Sequence, residues 1–170
     1  MKDWPANIKA FYENSGVTEE PWIGPPATEQ AISDFEATMG LKVSEEFRSL
    51  YRQCDGTNAT SELRPGSYFG FVPIHRLPSF IEAVRGSFTD EHPVEAHQFY
   101  PFYDSSDGDD PHILGFMFSE EFGLDPELFL FWRGGADGKT VFLLPCEDSI
   151  EAFLRGEDTQ SEQDGTSNGG

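Results

Sequence analysis

Apolar side chains recur at Phe47, Leu50, Tyr51 and Cys54, the i, i+3, i+4, i+7 spacing of a helix with one buried face. Ser44, just ahead, supplies the hydroxyl that an N-cap needs. A second helix is predicted upstream, with Thr28 as N-cap, Ile32, Phe35 and Met39 turned inward, and Gly40 placed to end it. A third covers 5–14, with Pro5 in its first turn and Ile8, Phe11 and Tyr12 on one side. Between them Pro21, Gly24, Pro25 and Pro26 enforce a loop.

Further along, the period changes. Residues 67–72 read as a strand, and 77–85 as a short helix with Pro78 in its first turn and Gly86 after it. The runs 98–103, 112–119, 127–132 and 140–144 are aromatic or β-branched and separated by turn residues, which predicts a largely antiparallel sheet. A closing helix over 149–154 ends at Gly156 and offers Ile150, Phe153 and Leu154 for packing. Helices at both ends with strands between them predict a single α+β domain, because the alternating strand and helix order of a parallel sheet is missing. The expected organisation is an N-terminal helical segment (1–20), the domain proper (21–156) and a disordered acidic tail (157–170). That tail has no large apolar residue and is rich in Gly, Ser, Thr and acids.

Composition adds a sign to this picture. With 37% hydrophobic and 14% aromatic residues, sixteen of them Phe, the 170 residues hold ample material for a core. Against that core stand 31 Asp plus Glu and only 11 Lys plus Arg, a formal net charge of −20. Such a field repels phosphate backbones and anionic membranes, so direct nucleic-acid binding and membrane binding are excluded as expectations. The same field speeds encounter with a basic protein; the alternative is that acidity serves solubility alone. Two cysteines, Cys54 and Cys146, are too few for a disulfide framework, and both are expected as small buried side chains. The first residues show no signal-peptide pattern, and no stretch approaches the ~18–20 apolar residues of a membrane span. The expected setting is cytoplasmic and reducing.

Several constellations invite a chemical reading and fail on spacing. Residues 134–140, Gly-Gly-Ala-Asp-Gly-Lys-Thr, end like a phosphate-binding loop, but Arg133 stands where its first Gly belongs. A helix should also follow, and Val141-Phe142-Leu143-Leu144 reads as a strand, so Asp137-Gly138 is expected to turn a hairpin. The run 104–110 is rich in oxygen ligands, yet aligning Gly108 with the sixth position of a calcium loop puts Tyr103 first, where Asp is needed. A solvated loop is the simpler reading. His75, His92, His97 and His112 match no zinc signature, and Gly66-Ser67-Tyr68-Phe69-Gly70 is not a nucleophile elbow. No catalytic residue, metal ligand or cofactor is assigned. Chance carboxylate pairs are to be expected in so acidic a chain, which leaves a hydrolase as a distant third reading.

The segment 28–57, TEQAISDFEATMGLKVSEEFRSLYRQCDGT, resembles the N-terminal signature of the SUKH superfamily, the Smi/Knr-type domain. That signature is an acidic helix ending in Gly, a short link, and a second helix closing on Asn-Gly. Asp34 and Glu36 fall in the first helix, Gly40-Leu41 ends it, and Phe47, Leu50 and Tyr51 take the apolar positions of the second. Ser44 replaces the family's usual Pro, and Asp55-Gly56 replaces Asn-Gly; both are mild changes, since Ser caps a helix start and Asp tolerates a turn. Phe69-Gly70-Phe71 before a short helix, the acidic loop mid-sheet and the closing helix at 149–154 extend the resemblance over residues 20–156.

The resemblance implies an α+β domain that binds another protein, with no catalytic residue and no cofactor. The superfamily includes bacterial immunity proteins that neutralise toxins, often nucleases, and fungal cell-wall-assembly regulators that serve as intracellular scaffolds. The fungal members resemble this core flanked by long low-complexity regions, and the short stretch 157–170 favours the immunity reading. A cognate, basic, nuclease-type toxin is therefore the expected partner of a chain that is itself a monomer or weak homo-oligomer. For docking, the loop acids Asp104, Asp107, Asp109 and Asp110 are the first choice, since loops on a rigid scaffold carry function. Glu120, Glu121 and Asp125 are the second, expected beside Trp132 and Phe122. The alternative is that these acids only solvate turns.

Overall fold

Three capped helices open the chain in the computed structural model, which describes residues 2–17, 19–58, 70–86, 98–106, 111–119, 123–134 and 140–156. Helix α1 (Trp4–Asn14) starts where the Asp3 carboxylate accepts the Ala6 N–H, with Pro5 in the first turn. Its buried face is Trp4, Ile8 and Tyr12, one residue per turn. Helix α2 (Glu29–Met39) is capped by the Thr28 hydroxyl on the Ala31 N–H and ends at Gly40, whose φ of 70° is left-handed and suits glycine. Helix α3 (Glu45–Gln53) is capped by Ser44 on the Phe47 N–H and buries Phe47, Leu50 and Tyr51, as its period predicts.

Two dipeptides that carry no legible period, β1 (Trp22–Ile23) and β2 (Thr57–Asn58), pair antiparallel and tie the Pro-rich loop to the end of α3. The main sheet runs β3-β4-β5-β6-β7, every neighbour antiparallel. Its strands are β3 (Gly70–Phe71), β4 (Phe99–Asp104), β5 (His112–Ser119), β6 (Gly123–Gly134) and β7 (Thr140–Glu147). A 3-10 turn (Ile74–Arg76) leads from β3 into α4 (Leu77–Gly86), and α5 (Ile150–Arg155), capped by Ser149, closes the chain. The chain is therefore an α+β domain with an antiparallel sheet, as expected.

Register shows how β6 and β7 are related. Gly134 pairs with Thr140 and Trp132 with Phe142, so the two strands form a hairpin and no helix follows the Gly-Lys-Thr run. The turn itself lies outside the described residues, as do 67–69 of the expected strand 67–72 and the tail 157–170. Strands β6 and β7 run beyond the expected 127–132 and 140–144 because proline hid their ends. Pro126 sits where the β5–β6 register shifts, between the pairs Phe116↔Leu128 and Phe118↔Leu124. Pro145 lies on β7, the last strand in the sheet order, where a missing N–H is tolerated.

One sheet face presents Leu114, Phe116 and Leu128 to α1, α2, α3 and α5, forming the main core. Phe47 is its centre: its ring stacks 4.4 Å from Tyr51 and 6.1 Å from Phe35, and meets Phe102 and Phe116 edge-on at 5.9 and 6.3 Å. The opposite face gathers Phe99, Ile113 and Phe131 against Val84 of α4. Thr57 is the buried polar joint between layers. Its hydroxyl sits 2.7 Å from the Tyr12 hydroxyl and accepts the Phe71 N–H at 3.0 Å. At Gly70 a Cβ would collide with the Thr57 carbonyl, so this crossing requires glycine. Cys54 is buried as expected, and burial pushes its thiol up to about 12. Cys146 is a correction: it is exposed on β7, next to Pro145, and is not a core side chain.

Candidate partner-binding surface

Asp104 ends β4, half-buried, and its Oδ1 accepts the Ser106 N–H at 2.9 Å, so it both closes a turn and opens the acidic loop. Asp107, Asp109 and Asp110 lie outside the described residues. So do Glu120, Glu121 and Phe122. Asp125 is exposed on β6 and accepts the Glu127 N–H at 3.0 Å, an Asx-type turn at the register shift.

Strand pairing separates Asp104 from Asp125. Asp104 pairs with Ile113, Ile113 with Phe131, and His112 with Trp132, which puts Trp132 at the Asp104 end of the sheet. Asp125 lies near the start of β6, seven positions before Trp132 on one strand, on the order of 23 Å away at the usual rise. The expectation that Asp125 sits beside Trp132 is thus corrected, because residues of one extended strand cannot fold back on each other. The half-buried Trp132 belongs instead at the Asp104 end of the sheet.

Beside Asp104 the surface is concave. A cleft of about 480 Å³ is lined by Val72, His75, Arg76, Ser79, Phe80, Ala83 and Asp104. Local sequence explains its shape. Pro73 breaks strand β3, and the Asp55 carboxylate accepts the Ile74 N–H at 2.7 Å, which fixes the start of the 3-10 turn. Ile74, Leu77, Ile81 and Val84 then face inward, leaving His75, Arg76, Ser79 and Ala83 exposed. Arg85 is occupied elsewhere, donating to the Phe99 carbonyl at 3.2 Å and lying 4.5 Å over the Tyr100 ring. The sequence reading missed this cleft; the exposed His-Arg pair before a helix was its visible trace.

A share of the acidic charge is committed to the fold. Glu36 is buried in α2, bonded to Arg48 of α3 at 2.6 Å and accepting the Val43 N–H at 3.0 Å, with Lys42 at 3.6 Å. Burial alone would raise its carboxyl, but the Arg48 and Val43 hydrogen bonds outweigh that and hold it below the usual range. Arg48 also reaches Glu29, as does Arg52, whose hydrogen bond lowers the Glu29 carboxyl. Glu46 accepts the Ile150 N–H at 2.6 Å and lies 3.7 Å from the Lys2 ammonium, joining α3 to α5 and the N-terminus. The sequence placed Glu36 on α2 without marking it as buried, although it lies four residues after Ile32 on the same stripe.

Among the described residues no group of three or more His, Cys, Asp or Glu is arranged to hold a metal, and no helix is long and apolar enough to cross a membrane. No curated protein matches the chain. A family model does: that of the SMI1 / KNR4 family (SUKH-1) matches residues 26–156, which runs from just before α2 to the end of α5. The match takes in the capped α2–α3 pair, the five-stranded sheet and the closing helix, well over half of the sequence, and the chain belongs to the SMI1 / KNR4 family (SUKH-1).

Proposed function

We propose that this chain is an immunity-type protein that binds a cognate protein toxin and neutralises it by occupying its working surface. The observation that carries the reading is a net charge of −20 on a SUKH-1 domain. A nuclease must bind phosphate and presents basic surface, so an acidic domain meets it by complementarity. The partner is accordingly a basic, nuclease-type toxin, met in the cytoplasm of a bacterial producer. The chain does no chemistry of its own, and works as a monomer or weak homo-oligomer.

Docking is assigned first to the Asp104 end of the sheet, with Asp107, Asp109 and Asp110 in the same loop and Trp132 as a half-buried aromatic nearby. Asp125, with Glu120 and Glu121, is a second patch towards the other end of β6. The experiment is co-expression with basic nuclease-type toxins, beginning with any encoded beside this gene. Restored growth, together with nuclease inhibition that completes at one chain per toxin, is the expected result. Unrestored growth, with several weak intracellular partners in its place, would move the chain to the scaffold branch of the same family.

A further inference from the structure

The cleft at the 3-10 turn holds a cation that stands apart from the ion pairing of the rest of the described molecule. Lys2, Lys9, Lys42, Arg48, Arg52 and Arg155 all sit on carboxylates. Arg85 is held by a carbonyl and a ring. Among the cations whose side chains are described, Arg76 alone has no ion pair, side-chain hydrogen bond or ring contact. In so acidic a chain, an arginine that pairs with none of the described carboxylates and lines the concavity is poorly explained by folding. Its neighbours supply the rest of a recognition site: the His75 imidazole and Ser79 hydroxyl as donors, and Val72, Phe80 and Ala83 as an apolar wall.

We propose that this cleft is a pocket for a carboxylate carried beside an apolar group on the protein partner. Arg76 presents a planar fork that matches a carboxylate, and His75 and Ser79 add donors on the same exposed side. Asp104, which also lines the cleft, repels an anion, so the carboxylate is directed to Arg76. The apolar wall then takes the group next to it, and a volume of about 480 Å³ holds a side chain with its neighbour. The surrounding field rejects loose anions, so only a carboxylate delivered together with apolar contact is retained. In the complex this makes one acidic residue of an otherwise basic partner a pin for the docking register, because a partner lacking it leaves the arginine unmatched.

The proposal rests on the reading that the chain acts by binding a protein, but its test needs no partner. The 15N-labelled chain is titrated at constant ionic strength with phenylacetate and, separately, with phenylacetamide, the uncharged analogue of the same shape. Saturable shifts at the backbone amides of residues 72–83 are expected for phenylacetate, with about tenfold weaker binding of the amide, the loss set by one charge-assisted contact. Arg76→Met should weaken phenylacetate by the same factor without disturbing the rest of the spectrum, and Lys9→Met should change nothing. If Arg76→Met alters the spectrum broadly, Arg76→Gln serves in its place. Equal binding of acid and amide, undiminished binding in the arginine variant, or no saturation each overturns the pocket. Failure of toxin rescue with phenylacetate binding intact overturns the immunity reading and leaves the pocket standing.

Discussion

The α2–α3 pair and the rim formed by the 3-10 turn and α4 are both helical, both charged and adjacent to the same core, yet they use charge in opposite ways. On α2 and α3, Glu29, Glu36, Arg48 and Arg52 are cross-linked, and each helix start has a side-chain cap. On the rim, His75, Arg76 and Ser79 face outward, beside the half-buried Asp104, around a cleft. The contrast separates two roles for polar residues in one acidic domain. A buried or cross-linked charge holds helices in place, and its removal is read in stability. An exposed charge at a concave rim is free to meet a partner, and its removal is read in binding.

Breaking the first region should give the largest effect. Phe47→Ala opens a hole among Phe35, Tyr51, Phe102 and Phe116, and should cost about 3–5 kcal/mol in chemical denaturation. Leu50→Ala, fully buried on the same helix, should cost about 2–5 kcal/mol. Thr57→Val keeps the shape of the joint but removes the hydroxyl from the Tyr12 hydroxyl and the Phe71 N–H; the expected loss is about 1–3 kcal/mol.

Glu36→Gln makes the buried charge of α2 visible through pH. The Glu36 carboxyl is held below its ordinary value of 4.5 in the folded chain, so the unfolded chain binds its proton more readily. Its contribution is present above pH 4.5 and is lost as pH falls through the lowered folded value. Denaturation midpoints measured from neutral pH downwards should therefore converge for the parent and Glu36→Gln in acid, with the parent ahead at neutral pH. A constant gap down to pH 2 would show that the Arg48 pairing contributes nothing specific to the ionised form.

The helical half was legible because its signals are local. Thr28, Ser44 and Ser149 announce helix starts, Gly40 and Gly156 announce ends, and the Phe47-to-Cys54 spacing names the buried face. The strand ends at Pro126 and Pro145 were not legible, since proline reads as a breaker until pairing shows a register shift in one case and the last strand in the other. The β1–β2 pair and the Tyr12–Thr57 contact depend on residues 34 to 45 positions apart, beyond any local period. For the site, the acids of the 104–110 loop were visible as composition, but which aromatic accompanies them is a matter of register. His112↔Trp132 and Asp104↔Ile113 place Trp132 with Asp104 and not with Asp125.

The smallest stability effect is expected on the rim, where Arg76→Met should stay within about 0.5 kcal/mol of the parent in the same denaturation assay. The two cysteines give an independent check of the exposed edge. Cys146 should react with a thiol reagent in the native state, whereas Cys54, buried and with its thiol pushed up to about 12, should react only on unfolding. Two equally reactive native thiols would place Cys54 outside the core.

The proposal that this acidic domain works by meeting a basic protein is decided by the rate at which the chain associates with a basic nuclease-type toxin whose growth inhibition it relieves, measured by stopped flow over a range of salt. The parent rate should fall steeply with salt. Changing Asp104, Asp107, Asp109 and Asp110 together to Asn should slow association and flatten that dependence, with little change in dissociation. An association rate and salt slope that the four substitutions leave untouched would contradict the assignment of docking to this end of the sheet, and a parent rate indifferent to salt would contradict the electrostatic account itself.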